Sequence, residues 1–263
     1  MDFKLFYPDF KEKALTFSYD DGQVFDRRLV ALFNQYGLKA TFHLNSGILG
    51  RDGFVAKEEL PTLYEGHEVA CHGVFHEYPT HLAKEHLVQE FYQDRLNLEA
   101  YTGRIVRGCS YAFGEYDDHV TAVLKSLGIV YSRTVESTGG FRVPQDFLRW
   151  TPSCHHNDAF DGKLVELFLN KPDYRRLPLF YIWGHSFEFE REGTWDKMEQ
   201  LCDTLSGQED VWYTTNIDFY DYVTAARRLV FSADGRRIMN LSAIPVYAEV
   251  EGERRVLKGE GFH

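Results

Sequence analysis

Apolar, β-branched runs alternate with helical patterns along most of this chain. Residues 14–18 read as a strand and 26–36 as a helix closed by Gly37. A second strand follows over 40–44, then a helix over 56–65 that ends at Gly66. The run 68–71 is a short strand before a long helix over 84–101. Residues 105–110, 117–127 and 129–132 repeat the strand–helix–strand order, with Gly103 and Gly128 at the helix stops. Later come a strand over 179–183, a helix over 195–205, a strand over 211–214 and a helix over 218–228. About seven such alternations predict an α/β fold. The expected architecture is a distorted or incomplete (β/α) barrel of about seven strands. A doubly wound open sheet is the competing one.

Residues 133–178 break the rhythm. They hold Gly139-Gly140, Pro144, Pro152, Pro172 and Pro178, which predicts a long, partly ordered excursion of the kind that carries function or a lid. Beyond residue 228 the pattern changes to short strands over 229–232, 238–241, 244–250 and 254–257, with Ala233-Asp234-Gly235 as a turn. The expected division is therefore a barrel domain over 1–227 and a small β appendage over 228–263. Chains below roughly 40 residues seldom fold alone, so the appendage is expected to pack on the barrel and to supply no catalytic group.

Composition narrows the class. The 263 residues are 44% hydrophobic, which excludes intrinsic disorder as the main state. The net charge of −11 argues against nucleic acid as a partner, because phosphate neutralisation needs clustered Lys and Arg. A neutral sugar is unaffected by that balance. The aromatic share of 16% fits either a Phe-rich core or a cleft lined with rings that stack on sugars. No run approaches the roughly 20 apolar residues of a membrane span, so no membrane partner is expected. The start Met1-Asp2-Phe3-Lys4 lacks the features of a signal peptide. Cys71, Cys109, Cys154 and Cys202 form no CxxC pair, and the expected setting is reducing and cytoplasmic.

Four features lie just after predicted strands, where a (β/α) barrel places its active site. The first is Ser18-Tyr19-Asp20-Asp21-Gly22. Adjacent carboxylates on a strand point apart, so one can bind a metal while the other acts as a base. An acidic surface turn has the same composition. The second is His72-Gly73-Val74-Phe75-His76. Two imidazoles four apart reach one ion, but Gly73 stands where an HExxH motif carries its base, so the base comes from elsewhere, most directly from Asp20 or Asp21. Two His and one carboxylate leave positions open for water and substrate. The third is Tyr111-Ala112-Phe113-Gly114, with Arg107 upstream, a turn able to present a backbone N–H to an oxyanion. The fourth is Trp183-Gly184-His185-Ser186, whose His suits a general acid.

Together these motifs resemble the polysaccharide deacetylases, the family 4 carbohydrate esterases that share the nodulation-protein homology domain. The resemblance runs over roughly residues 10–225. Ser18-Tyr19-Asp20-Asp21-Gly22 is similar to the family's T-F-D-D-G, and His72 to His76 to its H-[ST]-x-x-H, with Gly73 where Ser or Thr is usual. Cys109 to Gly114 is similar to R-x-P-[YF]-G, and Trp183-Gly184-His185 to the final L-x-H. The resemblance implies Asp21, His72 and His76 as ligands of one divalent metal, zinc before cobalt, nickel, manganese or iron. It implies Asp20 as the base, the Phe113 amide with the metal as the oxyanion site, and His185 as the acid that protonates the departing amine.

Two departures stand out. The third-motif Arg, which orients the catalytic Asp, falls on Ser110, and its Pro on Ala112; Arg107 is the nearby replacement to test. The fourth motif, an Asp followed by Trp, has only a loose match over residues 146–150. Trp150 and Trp183 are expected either as an apolar wall for an acetyl group or as core. His43 is expected either at the cleft or in the barrel interior, and His155-His156 either at the cleft, on a second ion or in an ordinary polar loop. The expected function is metal-dependent removal of N-acetyl groups from an amino-sugar or oligosaccharide. Hydrolysis of another C–N amide, a non-catalytic carbohydrate-binding relative and a non-haem iron oxygenase are the competing readings.

Overall fold

The computed structural model describes residues 2–170 and 177–259. Pro172 of the predicted excursion and residues 260–263 of the predicted appendage lie outside the described residues. After β1 (Phe3–Phe6) come the barrel strands β2 (Lys13–Asp21), β3 (Ala40–Leu44), β4 (Glu68–Cys71), β5 (Gly108–Ser110), β6 (Tyr131–Arg133), β7 (Cys154–His155), β8 (Leu179–His185) and β9 (Val211–Tyr213). Around them run α1 (Asp26–Gln35), α2 (Leu60–Leu63), α3 (Lys84–Thr102), α4 (Asp118–Ser126), α5 (His156–Ala159), α6 (Lys163–Leu169), α7 (Ser186–Glu192), α8 (Trp195–Leu205) and α9 (Asn216–Arg227). The strands pair in parallel in the order β6-β5-β4-β3-β2-β8-β7, with β9 joining β2 at Lys13–Leu15.

β2 explains why the strands read as apolar runs. Side chains alternate along a strand, and here both faces are buried. Phe17 packs outward on Phe33 of α1 and Tyr19 on Phe189 of α7, with ring centroids 4.8 and 5.8 Å apart. Thr16, Ser18 and Asp20 point the other way and bond to Asn216, His43 and Ser110. The barrel therefore has an apolar outside under its helices and a polar column inside.

Extended chain bridges the two edges of the sheet. The Trp150 N–H donates to the Ser132 carbonyl, and the Thr134 N–H to the Trp150 carbonyl, each at 3.0 Å. Three residues on, the Ser153 N–H donates to the Tyr181 carbonyl at 2.8 Å, and β7 pairs with β8. Residues 150–155 thus close the barrel, which rules out the doubly wound open sheet. The segment read as an excursion also carries α5 and α6. Trp150 is fully buried with Tyr7, Phe219 and Tyr222 in an aromatic core apart from the main one.

The appendage contains β10 (Val230–Phe231), β11 (Ile238–Met239), β12 (Val246–Val250) and β13 (Glu253–Leu257). β12 lies between β13 and β1, with Phe3 opposite Val250, so the chain start is part of this sheet. Val246, Ala248 and Val250 alternate inward onto Ala225, Ile238 and Leu257. The predicted helix over 56–65 is a 3-10 turn, Lys57–Glu59, followed by the four-residue α2, with Pro61 in its first turn. β1 and α7 have no counterpart in the sequence reading. No helix among the described residues is long and apolar enough to cross a membrane.

Candidate active site

Asp21 ends β2, and His72 and His76 follow β4, so three potential ligands meet at the C-terminal end of the barrel. The Asp21 Oδ1 atom lies 3.6 Å from His72 Nε2 and 3.7 Å from His76 Nε2. Ser110 holds the other edge of His72: its carbonyl and its Oγ lie 3.0 and 2.8 Å from Nδ1. That contact turns Nε2 toward Asp21, as partners beyond the ligands do in metal sites generally. Burial keeps His72 on the neutral, ligand-competent side against the pull of Asp20 and Asp21. Two imidazole nitrogens and a carboxylate oxygen within 4.8 Å of one another fit a divalent metal such as zinc.

The backbone is strained here. Asp21, His76 and Phe113 have φ of 83°, 60° and 58°, half of the six described non-glycine residues in the left-handed region. Each costs on the order of 1–2 kcal/mol. Gly73 sits between the ligands at φ 84°, and a Cβ there would meet Glu90 Oε1 at 2.7 Å. The Ser or Thr usual at this position would be strained in this backbone, which accounts for the departure.

Asp20, the last inward residue of β2 before the rim, is buried and surrounded by donors. Arg133, at the end of β6, bonds its Oδ2, and the Ser110 hydroxyl donates to Oδ1 at 3.2 Å. His43 Nδ1 is 3.4 Å from Oδ1. Burial would raise this carboxyl, but the Arg133 guanidinium foremost, then His72 and His43, hold it well below the usual carboxylate range. Arg133 also donates to Ser18 Oγ at 3.2 Å and lies 4.3 Å from the Trp183 ring centroid. Sequence reasoning missed Arg133; its signal was a charged residue at the end of a barrel strand.

The structure does not bring Arg107 to Asp20. It precedes β5, at the opposite end of that strand, and forks onto Asp221 of α9 at 3.1 and 2.5 Å. Trp150 is not an acetyl wall, because it is fully buried in the aromatic core. His43 is fully enclosed beneath Asp20 rather than at the cleft, and burial pushes it down to about 3, so it is neutral. Trp183 is partly exposed beside Arg133 and His155. The Phe113 ring is 47% exposed, stacks flat on Tyr78 and meets the His76 ring at 4.4 Å. His185 ends β8 as the register partner of Asp20. Its Nδ1 lies 3.3 Å from Glu188 Oε2, and His155 Nε2 lies 3.0 Å from the same oxygen. Burial disfavours charge on His185, yet Glu188 and then Asp20 and Asp21 raise it above the usual imidazole value. Glu188 was also missed; its signal was the capping spacing from His185 to a Glu three residues on.

Solved structures of similar fold include polysaccharide deacetylases and family 4 carbohydrate esterases. The family model described as polysaccharide deacetylase matches residues 8–132, just under half of the chain. Over that span the chain is similar to the polysaccharide deacetylase family, and its fold is that of the family 4 carbohydrate esterases. A Mycobacterium smegmatis protein described as a polysaccharide deacetylase superposes with a TM-score of 0.65 at 17% identity, over 85% of this chain and 94% of its own. A family 4 carbohydrate esterase from Streptomyces lividans, solved with acetate, gives 0.51 at 16% identity, over 76% of this chain and 90% of its own. A family 4 pseudoenzyme from Bacillus anthracis also gives 0.51 at 16% identity, over 82% of this chain and 67% of its own. No curated protein matches the chain at a significant level.

Proposed function

We propose that the protein is a metal-dependent hydrolase that removes N-acetyl groups from an amino-sugar or a short oligosaccharide. The observation that carries this reading is the split of the adjacent carboxylates: Asp21 faces the two histidines, while Asp20 turns inward to Arg133. A divalent cation held by Asp21, His72 and His76, with zinc the first choice, would supply Lewis-acid polarisation of an acetyl carbonyl and an acidified water. Asp20, kept anionic by Arg133, accepts a proton. The Phe113 amide donates to the developing oxyanion. His185, held toward its charged form, delivers a proton to the departing nitrogen, which an amide requires because the amine anion leaves poorly.

The non-catalytic reading rests on the missing third-motif Arg and on the degraded fourth motif. Arg133 reaches the same Asp20 from β6, which answers the first of these and supports the catalytic reading. Four buried, unpaired thiols suit the reducing, cytoplasmic setting proposed for the chain. The test is metal analysis coupled to acetate release over a panel of N-acetylated mono- and oligosaccharides. Stoichiometric metal with metal-dependent acetate release from at least one amino-sugar is expected. Tight metal binding with release only from non-sugar amides would move the substrate to another class.

A further inference from the structure

We infer that Glu188 is the positioning residue for His185, and that His155 shares its carboxylate as a second imidazole. The inference rests on His185 acting as the proton donor. β8 ends at His185, and the chain turns at once into α7, where Glu188 occupies the third position. Its Oε2 accepts the His185 backbone N–H at 3.0 Å and lies 3.3 Å from that residue's own Nδ1. His155 Nε2 closes on the same oxygen at 3.0 Å. One carboxylate oxygen therefore anchors the His185 backbone by a hydrogen bond, faces its ring at ion-pair distance, and ties both to β7 through His155.

With Nδ1 beside Glu188, His185 is left with Nε2 as the atom that exchanges a proton with the leaving nitrogen. His155 carries its proton on Nε2. The charged and titratable groups around His185 and its carboxylate are Asp20 and Asp21 on β2, Glu188 and Arg191 on α7, His155 on β7 and His156 on α5, with Arg191 3.5 Å from the other Glu188 oxygen. His156 is buried and pushed down to about 3, so it adds bulk and no charge. Gly184 makes the approach possible, since a Cβ there would lie 2.1 Å from His156 Nδ1. No carboxylate from the loosely matching fourth motif substitutes, because Asp146 is on the surface, paired with Arg149 at 2.5 Å.

His155, His185 and Glu188 also place three donor atoms within 4.8 Å, a set that a cation could use. The hydrogen-bonded arrangement is favoured, because Oε2 already receives the His185 N–H and His155 Nε2. The experiment is an NMR pH titration of the His185 imidazole in the full chain with one equivalent of zinc. It compares the wild type with Glu188→Gln, Glu188→Asp and His155→Gln. Relative to the wild type, the His185 titration is expected to fall by at least one pH unit in Glu188→Gln, to fall less in His155→Gln and to recover partly in Glu188→Asp. In acetate release, the alkaline limb of kcat should move down in step while KM changes less than twofold. An unchanged His185 titration in a folded Glu188→Gln protein overturns the inference; should that variant not fold, an unchanged titration in His155→Gln does so. A second bound zinc, lost in His155→Gln, overturns it in favour of a metal site. If no N-acetylated sugar yields acetate, the deacetylase reading fails, while the titration still decides the role of Glu188.

Discussion

Arg133 and Asp20 are both enclosed, and neither charge is tolerable there without the other. Desolvating either costs several kcal/mol, and removing one partner of such a pair typically costs about 3–5 kcal/mol. A guanidinium serves here because three separate nitrogens of its planar fork bond Ser18, the Thr134 carbonyl and Asp20, a spread that a single ammonium nitrogen lacks. Arg133→Lys is therefore expected to lower kcat at least tenfold with metal content unchanged. Arg107→Lys, which alters only a half-buried pair with Asp221, should leave kcat within twofold. Equal effects of the two substitutions would refute the assignment of Arg133. The ligand set has its own test. Asp21→Ala, His72→Ala and His76→Ala should each lose most bound metal, as read by elemental analysis. Asp20→Asn should retain the metal and lose about 10²–10⁴-fold in kcat, the range for a general base. Full activity in Asp20→Asn would show that the base is another group.

At the level of elements, the floor of the barrel is held by one buried carboxyl. Glu68 on β4 accepts from Tyr131 of β6 at 2.6 Å, Thr41 of β3 at 2.7 Å and the Ile217 N–H of α9 at 2.8 Å. Burial pushes it up to about 7, against the hydrogen bonds that favour its charged form. Between about 4.5 and 7 the folded chain holds a proton that the unfolded chain has released. Stability from this group is thus greatest below about 4.5 and declines as pH rises toward 7, by on the order of 3 kcal/mol at most. In Glu68→Gln that decline should be absent. Denaturant midpoints at pH 5 and pH 8 check it: wild type and variant should differ in their change between the two pH values, and parallel changes would contradict a raised Glu68.

For the whole molecule, the appendage joins the two ends of the chain. β1 pairs with β12, and Tyr222 of α9 bonds the Phe6 carbonyl and accepts the Tyr247 N–H at 3.1 Å. Removing residues 228–263 would strip β1 of its partner and expose Ala225 and the side of α9. The truncated chain is expected to lose stability or solubility while any folded fraction keeps its metal content and kcat. Loss of turnover in a folded, metal-loaded truncation would give the appendage a catalytic role. Thermal melts and acetate release on the same sample separate these outcomes.

Local pattern alone determined the barrel strands other than β7 and the positions of the candidate ligand residues. Strand–helix alternation is a short-range property, and Asp20, Asp21, His72, His76 and His185 sit where strands end, so periodicity and spacing carry them. Tertiary structure decided the rest, because it depends on which strand ends meet. Arg133 reaches Asp20 from β6, which lies four strands away across the sheet, and nothing in the residues around Ser110 announces it. Trp150 and Trp183 are the same residue type, yet one is core and the other rims the site, since only pairing with β6 or β8 sets their depth. β1 is a four-residue strand whose partner lies at the far end of the chain. Closure by residues 150–155 was hidden for the same reason: extended chain without a long apolar run becomes a strand only when two sheet edges stand ready to receive it.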